Sequence, residues 1–172
     1  IKAIDVVKEI SGSAKINTVA WCIGGTLVAS ALAVLAHRKD TSVTSATFLT
    51  TLTDFQDPGD LCAFLDEQQV KKLENKVNNQ GYLSGKELAT SFNMLRANDL
   101  IWSYVVNNYL KGKTPAPFDI LYWNGDSTNL PAEMYTYYIN KMYLENKLVE
   151  KDALTMCGAP IDLGRIKVPC YF

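Results

Sequence analysis

Histidine is almost missing from this chain: His37 is the only one in 172 residues. A zinc site resting on imidazoles is therefore not expected. The four cysteines, Cys22, Cys62, Cys157 and Cys170, are far apart and include no CxxC pair that would supply thiolates instead. No signal peptide precedes them in these residues, so they read as reduced thiols of a cytosolic protein, three of them ordinary buried side chains. Charge of one sign is also lacking, with Lys+Arg 17 against Asp+Glu 18 and no long like-charge run. That leaves no electrostatic footprint for nucleic acid or an anionic membrane. Repeats and low-complexity tracts are absent, and 48% apolar residues in a chain of this length fit one domain with a real core.

Thr18 to Ala36 has no charged residue, which is long enough for a membrane span, and His37-Arg38-Lys39 could flank one. The Trp-Cys-Ile-Gly-Gly interruption and the prevalence of Ala, Ser and Thr over Leu and Ile argue against it, so no transmembrane segment is expected.

What is present is organised around Ile16 to His37. A β-branched run, Ile16 to Val19, meets the small-residue turn Cys22-Ile23-Gly24-Gly25 and then an Ala- and Leu-rich run, a pattern of strand, sharp turn and buried helix. This is a nucleophile elbow with cysteine where serine is usual. Such a turn lifts one side chain clear of the sheet edge and aims the first helical N–H groups at a reacting carbonyl. The helix dipole favours thiolate there, and Ala20, Gly24 and Gly25 meet the steric need for small residues. The other reading makes Cys22 a packed residue in an Ala-rich seam, and the spacing alone does not choose between the two.

A base for Cys22 is not found nearby. His37 lies fifteen residues on along the same helix, roughly 20 Å away at 1.5 Å per residue, and reads as a solvated helix-end cation. Asp126, in the Asn124-Gly125-Asp126 turn, can be nominated as the acid, although Asx residues in Gly turns ordinarily shape the turn itself.

Ahead of the elbow, Ile1, Ile4, Val7 and Ile10 mark one face of an amphipathic helix. After it, Ser42 to Phe55 reads as a second strand, which predicts a parallel pair with a right-handed crossover. Helices then dominate: Asp60 to Asn78, a capping box at Ser84-Gly85-Lys86-Glu87, a helix from Asp99 to Lys111 capped by Asn98, a short run Phe118 to Trp123, and a Tyr-rich helix from Pro131 to about Lys147. Residues 57–150 are accordingly expected to form a helical cap insertion in one α/β domain spanning 1–172. Its aromatics, Trp102, Tyr109, Trp123 and Tyr135 among them, suit an acyl channel or subunit interface, or simply packing of the cap helices. Ala153 to Met156 and Ile166 to Phe172 restore strand patterning around Gly158-Ala159-Pro160. The chain starts without Met and stops in an apolar run, so truncation at both ends is expected.

Asn17 to Leu27 (NTVAWCIGGTL), Ala46 to Gly59 (ATFLTTLTDFQDPG), Leu95 to Pro131 and Leu154 to Pro169 (LTMCGAPIDLGRIKVP) together resemble the catalytic domain of the polyhydroxyalkanoate synthases, collinearly over nearly the whole chain. The Trp-Asn-Gly-Asp-x-Thr-Asn-Leu-Pro form of Trp123 to Pro131 is most similar to synthases that prefer short-chain monomers. The resemblance implies an α/β-hydrolase fold, with Cys22 as nucleophile, the Ile23 backbone N–H as one oxyanion donor, and a second donor upstream of Ile1. It also implies an (R)-3-hydroxyacyl-CoA substrate, a growing polyester chain, no cofactor, a homodimer, and a place in the cytoplasm at the surface of polyester granules. Two departures follow. The family's box is G-x-C-x-G-G and here begins with Ala20, and the family's catalytic Asp and His fall beyond Phe172, so the 172 residues alone are expected to be inactive. A cysteine hydrolase that releases the acyl group to water, and a non-enzymatic binding module, are the competing readings.

Overall fold

Strand β1 (Ile16–Trp21) passes without a linker into α2 (Cys22–His37), preceded by α1 (Lys2–Ser11), and the chain returns through β2 (Val43–Leu49). The computed structural model of the chain describes residues 1–115, 117, 119–120, 123 and 126–172, with the side chains of 62–64 excepted. Within these, two compact units are distinguished: Ile1–Pro58 with Asn140–Phe172, and Gly59–Ile139.

In the first unit β1 and β2 pair in parallel from Ile16↔Val43 to Trp21↔Leu49, with one register shift at Ile16/Asn17. Crossing from one parallel strand to the next needs a helix, and α2 supplies it. Its Ala29, Leu32 and Leu35 pack on Val43, Ala46 and Phe48 of β2, with Ile1, Ile4, Ile16 and Val28 around them. Ser30, buried in α2, donates to the Thr26 carbonyl at 2.9 Å, so its hydroxyl is satisfied. The uncharged stretch is thus divided between a strand and a 16-residue helix. Among the described residues no helix is long and apolar enough to cross a membrane.

The second strand stops at Leu49 rather than running to Phe55, because Thr50 takes φ +49° and leaves the extended conformation. Phe55 is buried nevertheless, edge-on to Tyr143 with ring centroids 4.8 Å apart. Asn146 secures that turn. Its Oδ1 accepts from the Phe55 N–H at 2.9 Å and its Nδ2 donates to Asp54 Oδ1 at 2.8 Å. Asn146 sits at φ +48°, which Asn tolerates better than most residues.

That amide, first, and the Gln56 N–H, second, hold the Asp54 carboxyl below the usual carboxylate range. A depressed folded value means the contact contributes fully above the unfolded aspartate pKa of about 3.9 and is lost as pH falls through the folded value. Asn146→Ala is therefore expected to lower stability at neutral pH through the lost hydrogen bond to the Phe55 N–H, worth about 0.5–1.5 kcal/mol. It should also flatten the acid limb of a plot of urea midpoint against pH. An unchanged midpoint in the variant would remove Asn146 from this role.

After Asn146 the chain buries Leu148, Leu154 and Ile161 and forms the hairpin β5 (Thr155–Met156) and β6 (Ala159–Pro160) around Cys157 and Gly158, both at positive φ. A 3-10 turn follows at Leu163–Arg165. The predicted strand Ile166 to Phe172 contracts to β7 (Cys170–Tyr171), parallel to β2 at Ala46 and Thr47. Sheet order is β1-β2-β7.

In the second unit the predicted helix from Asp60 divides. A 3-10 turn, Gly59–Phe64, precedes α3 (Glu67–Gln80), because Asp66 makes the better cap by accepting from the Gln68 and Gln69 N–H groups. The capping box at Ser84 is not formed. Glu87 instead pairs with Lys76 at 2.7 Å, and the Gly85 N–H at the start of α4 (Gly85–Leu95) goes to Asn129 Oδ1 at 3.0 Å. Asn98–Trp102 and Val105–Leu110 are π-helical, and Ala97 rather than Asn98 occupies the cap position. β3 (Tyr82–Leu83) pairs antiparallel with β4 (Leu130–Pro131), which leads into α5 (Ala132–Tyr138). Of the run Phe118 to Trp123, residues 118, 121 and 122, and with them the Asn124-Gly125 turn, lie outside the described residues. The second unit ends at Ile139, and Tyr143 beyond it packs edge-on against Phe55 in the first.

Candidate active site

Cys22 is the first residue of α2, has φ +46° and is exposed. A left-handed conformation at a residue with a Cβ costs roughly 1–2 kcal/mol, and it persists only where the surroundings fix it. The surroundings here are the carboxyl ends of two adjacent parallel strands. Trp21 and Leu49 are register partners at those ends, so Cys22 and Thr50 follow them side by side. Cys22 Sγ lies 3.2 Å from Thr50 Oγ1, and Thr50 Oγ1 also donates to the Leu49 carbonyl at 2.8 Å.

The next two residues hold that edge against α2. Gly25 is buried, and a Cβ placed on it would overlap the Thr51 side chain. Thr26 Oγ1 donates to the Leu52 carbonyl at 2.7 Å. Gly24 faces open space. Ala20, which replaces the first glycine of the family box, is buried in β1 opposite Phe48, and its methyl group is accommodated without a break in the pairing.

The first-turn N–H groups of α2, Ile23 among them, have no intrahelical acceptors, no side chain caps them, and no acidic residue lies in that turn. The positive end of the helix dipole is therefore unopposed beside the Cys22 sulfur. Ile23 is itself exposed.

His37 stands at the opposite end of α2, exposed, with Nδ1 3.2 Å from the Arg165 guanidinium. Asp126 belongs to the other unit and is exposed, its N–H donating to the Trp123 carbonyl at 3.2 Å as a turn requires. Cys157 and Cys170 are exposed, contrary to the expectation that they are buried; a tight hairpin turn and a short edge strand leave them at the surface. Packing of aromatics holds for Tyr143 and for Tyr135, whose phenol is pushed up to about 12 by burial and, less, by the Glu74 carboxylate. It does not hold for Trp102, Tyr109 and Trp123, all more than half exposed. Thr50 was not singled out by sequence. Its one signal is that three residues of high strand propensity follow a strand without a turn residue, which hides the break.

A family model described as alpha/beta hydrolase fold matches residues 1–160. The chain is 51% identical over 176 residues to the poly(3-hydroxyalkanoate) polymerase subunit PhaC of Cupriavidus necator, covering 99% of this chain and 30% of that protein. It is 46% identical over 169 residues to the subunit of the same name from Rhizobium meliloti, covering 98% of this chain and 28% of that protein. A more distant likeness, 24% identity over 173 residues, reaches the corresponding subunit of Haloarcula marismortui. The chain thus spans about 30% of the length of the first two of these curated relatives.

Proposed function

This chain belongs to the alpha/beta hydrolase fold family, and from that premise we propose that it carries the nucleophile of an acyltransferase polymerising (R)-3-hydroxyacyl-CoA into a polyester. The observation that supports this above all is Cys22 itself: exposed, strained, and at the head of an uncapped helix where β1 ends.

In the proposed cycle the Cys22 sulfur, having lost its proton to a base, attacks the thioester carbonyl carbon. The bond from that carbon to the coenzyme A sulfur breaks, and coenzyme A leaves as its thiolate, which takes up a proton. The 3-hydroxyl oxygen of another acyl unit then attacks the enzyme thioester. An ester bond forms, the C–S bond to Cys22 breaks, and the hydroxyl proton returns to the sulfur. The Ile23 N–H would face the oxyanion in both steps. Coenzyme A enters as part of the substrate and no cofactor is needed. We place the reaction in the cytoplasm at a granule surface and assign a homodimer as the working form.

The test is to supply 3-hydroxybutyryl-CoA to the whole gene product that contains these residues. Polyester should accumulate, and the Cys22 peptide should carry an added 3-hydroxybutyryl group. Free hydroxy acid without polymer would instead establish the hydrolase reading. No label at Cys22 would sink both. The 172 residues by themselves, whose only histidine sits at the far end of α2, should not release coenzyme A catalytically.

A further inference from the structure

We propose that Thr50 is a positioning residue for the Cys22 sulfur, its hydroxyl accepting from the thiol and donating to the thiolate so that Sγ keeps one place through both states. This rests on Cys22 being the nucleophile, as proposed above. The geometry consists of two short contacts on one oxygen: Cys22 Sγ at 3.2 Å and the Leu49 carbonyl at 2.8 Å.

A threonine hydroxyl has a single hydrogen and two lone pairs. While Cys22 is a thiol, S–H donates to Oγ1 and O–H donates to Leu49, and each donor has its acceptor. Once the sulfur loses its proton that first bond has no hydrogen, and the hydroxyl turns about its C–O bond to donate to the anion, a charge-assisted contact stronger than the one it leaves. Thr50 itself neither gains nor loses a proton, so it is not the base. What it supplies is a fixed sulfur.

Three consecutive residues each meet the first turn of α2 in a different way. The Thr50 hydroxyl meets Cys22, the Thr51 side chain fills the space left by Gly25, and the Leu52 carbonyl takes the Thr26 hydroxyl. The last two contacts pin the segment that carries Thr50. They also account for a β-branched residue held at φ +49°, a conformation it adopts only under constraint.

The experiment compares Thr50→Val, Thr50→Ser and Thr50→Gly in the whole gene product. It follows the rate of iodoacetamide labelling at Cys22 by peptide mapping, together with kcat and KM for coenzyme A release. Valine keeps the shape and removes the hydroxyl, so labelling and kcat should each fall about tenfold with KM nearly unchanged. Serine restores the hydroxyl and should come within about twofold of the parent. Glycine relieves the positive φ and should hold or raise the melting temperature, yet lose reactivity as valine does. If the valine variant does not fold, the glycine and serine pair decides. A glycine or valine variant that labels as fast as the parent overturns the proposal, as does a serine variant as slow as valine. Failure of the nucleophile reading would look different: Cys22→Ala would retain turnover, while the labelling rates would still report on the Thr50 contact.

Discussion

Cys22→Ala is expected to lower coenzyme A release by the whole gene product about a thousandfold or more, the scale on which loss of a covalent nucleophile is measured. Stability should hardly change, because the side chain is exposed and alanine inherits the same backbone conformation. Cys22→Gly separates the two consequences of the elbow. Glycine occupies φ +46° without the Cβ penalty, so this equally inactive variant should be more stable than the parent by about 1 kcal/mol. Urea midpoints read the one effect and coenzyme A release the other. A glycine variant less stable than the parent would show that Cys22 is not strained in the folded protein. An alanine variant with appreciable turnover would place the chemistry elsewhere. The expected opposition of stability and activity at one residue is what a site that stores backbone strain should produce.

The elbow could be read in the sequence because two periodicities meet at a single residue. A β-branched run gives way to an Ala-rich run, and the residues at the junction are small enough for a sharp turn. Where β2 ends was hidden, since Thr50 and Thr51 favour strands and the break at Thr50 comes from contacts with α2 more than twenty residues away. The failure at Ser84 has the same origin. Local spacing offers Glu87 to the helix start, but Lys76 and Asn129, distant in sequence, take up Glu87 and the Gly85 N–H. Asn146 is a further case, reaching Phe55 across 91 positions. Spacing along a chain reports which face of an element is apolar. It does not report which polar group from another element arrives first, and the parts of the site beyond Cys22 are set by such arrivals.

The paired glycines of the box allow that distinction to be measured, because they are identical in sequence and opposite in surroundings. A Cβ at Gly24 meets nothing within 4 Å, whereas one at Gly25 would overlap Thr51 Oγ1 and Cγ2 and lie 2.7 Å from Thr51 Cβ. Rotation about the Thr51 side-chain bond can move the first two atoms but not its Cβ, which is fixed to the backbone. Gly25→Ala must therefore push the 50–52 segment off α2, and overpacking of this kind costs about 1–3 kcal/mol. It should also slow iodoacetamide labelling at Cys22, since Thr50 moves with the segment. Gly24→Ala replaces a helical glycine in open space and should gain up to about 1 kcal/mol with labelling unchanged. Equal urea midpoints and equal labelling rates for the two variants would contradict the packing of Thr51 on Gly25. A loss confined to Gly25→Ala would show that the second glycine of the box is kept small by the neighbouring strand's exit, and that Cys22 depends on that exit for its position.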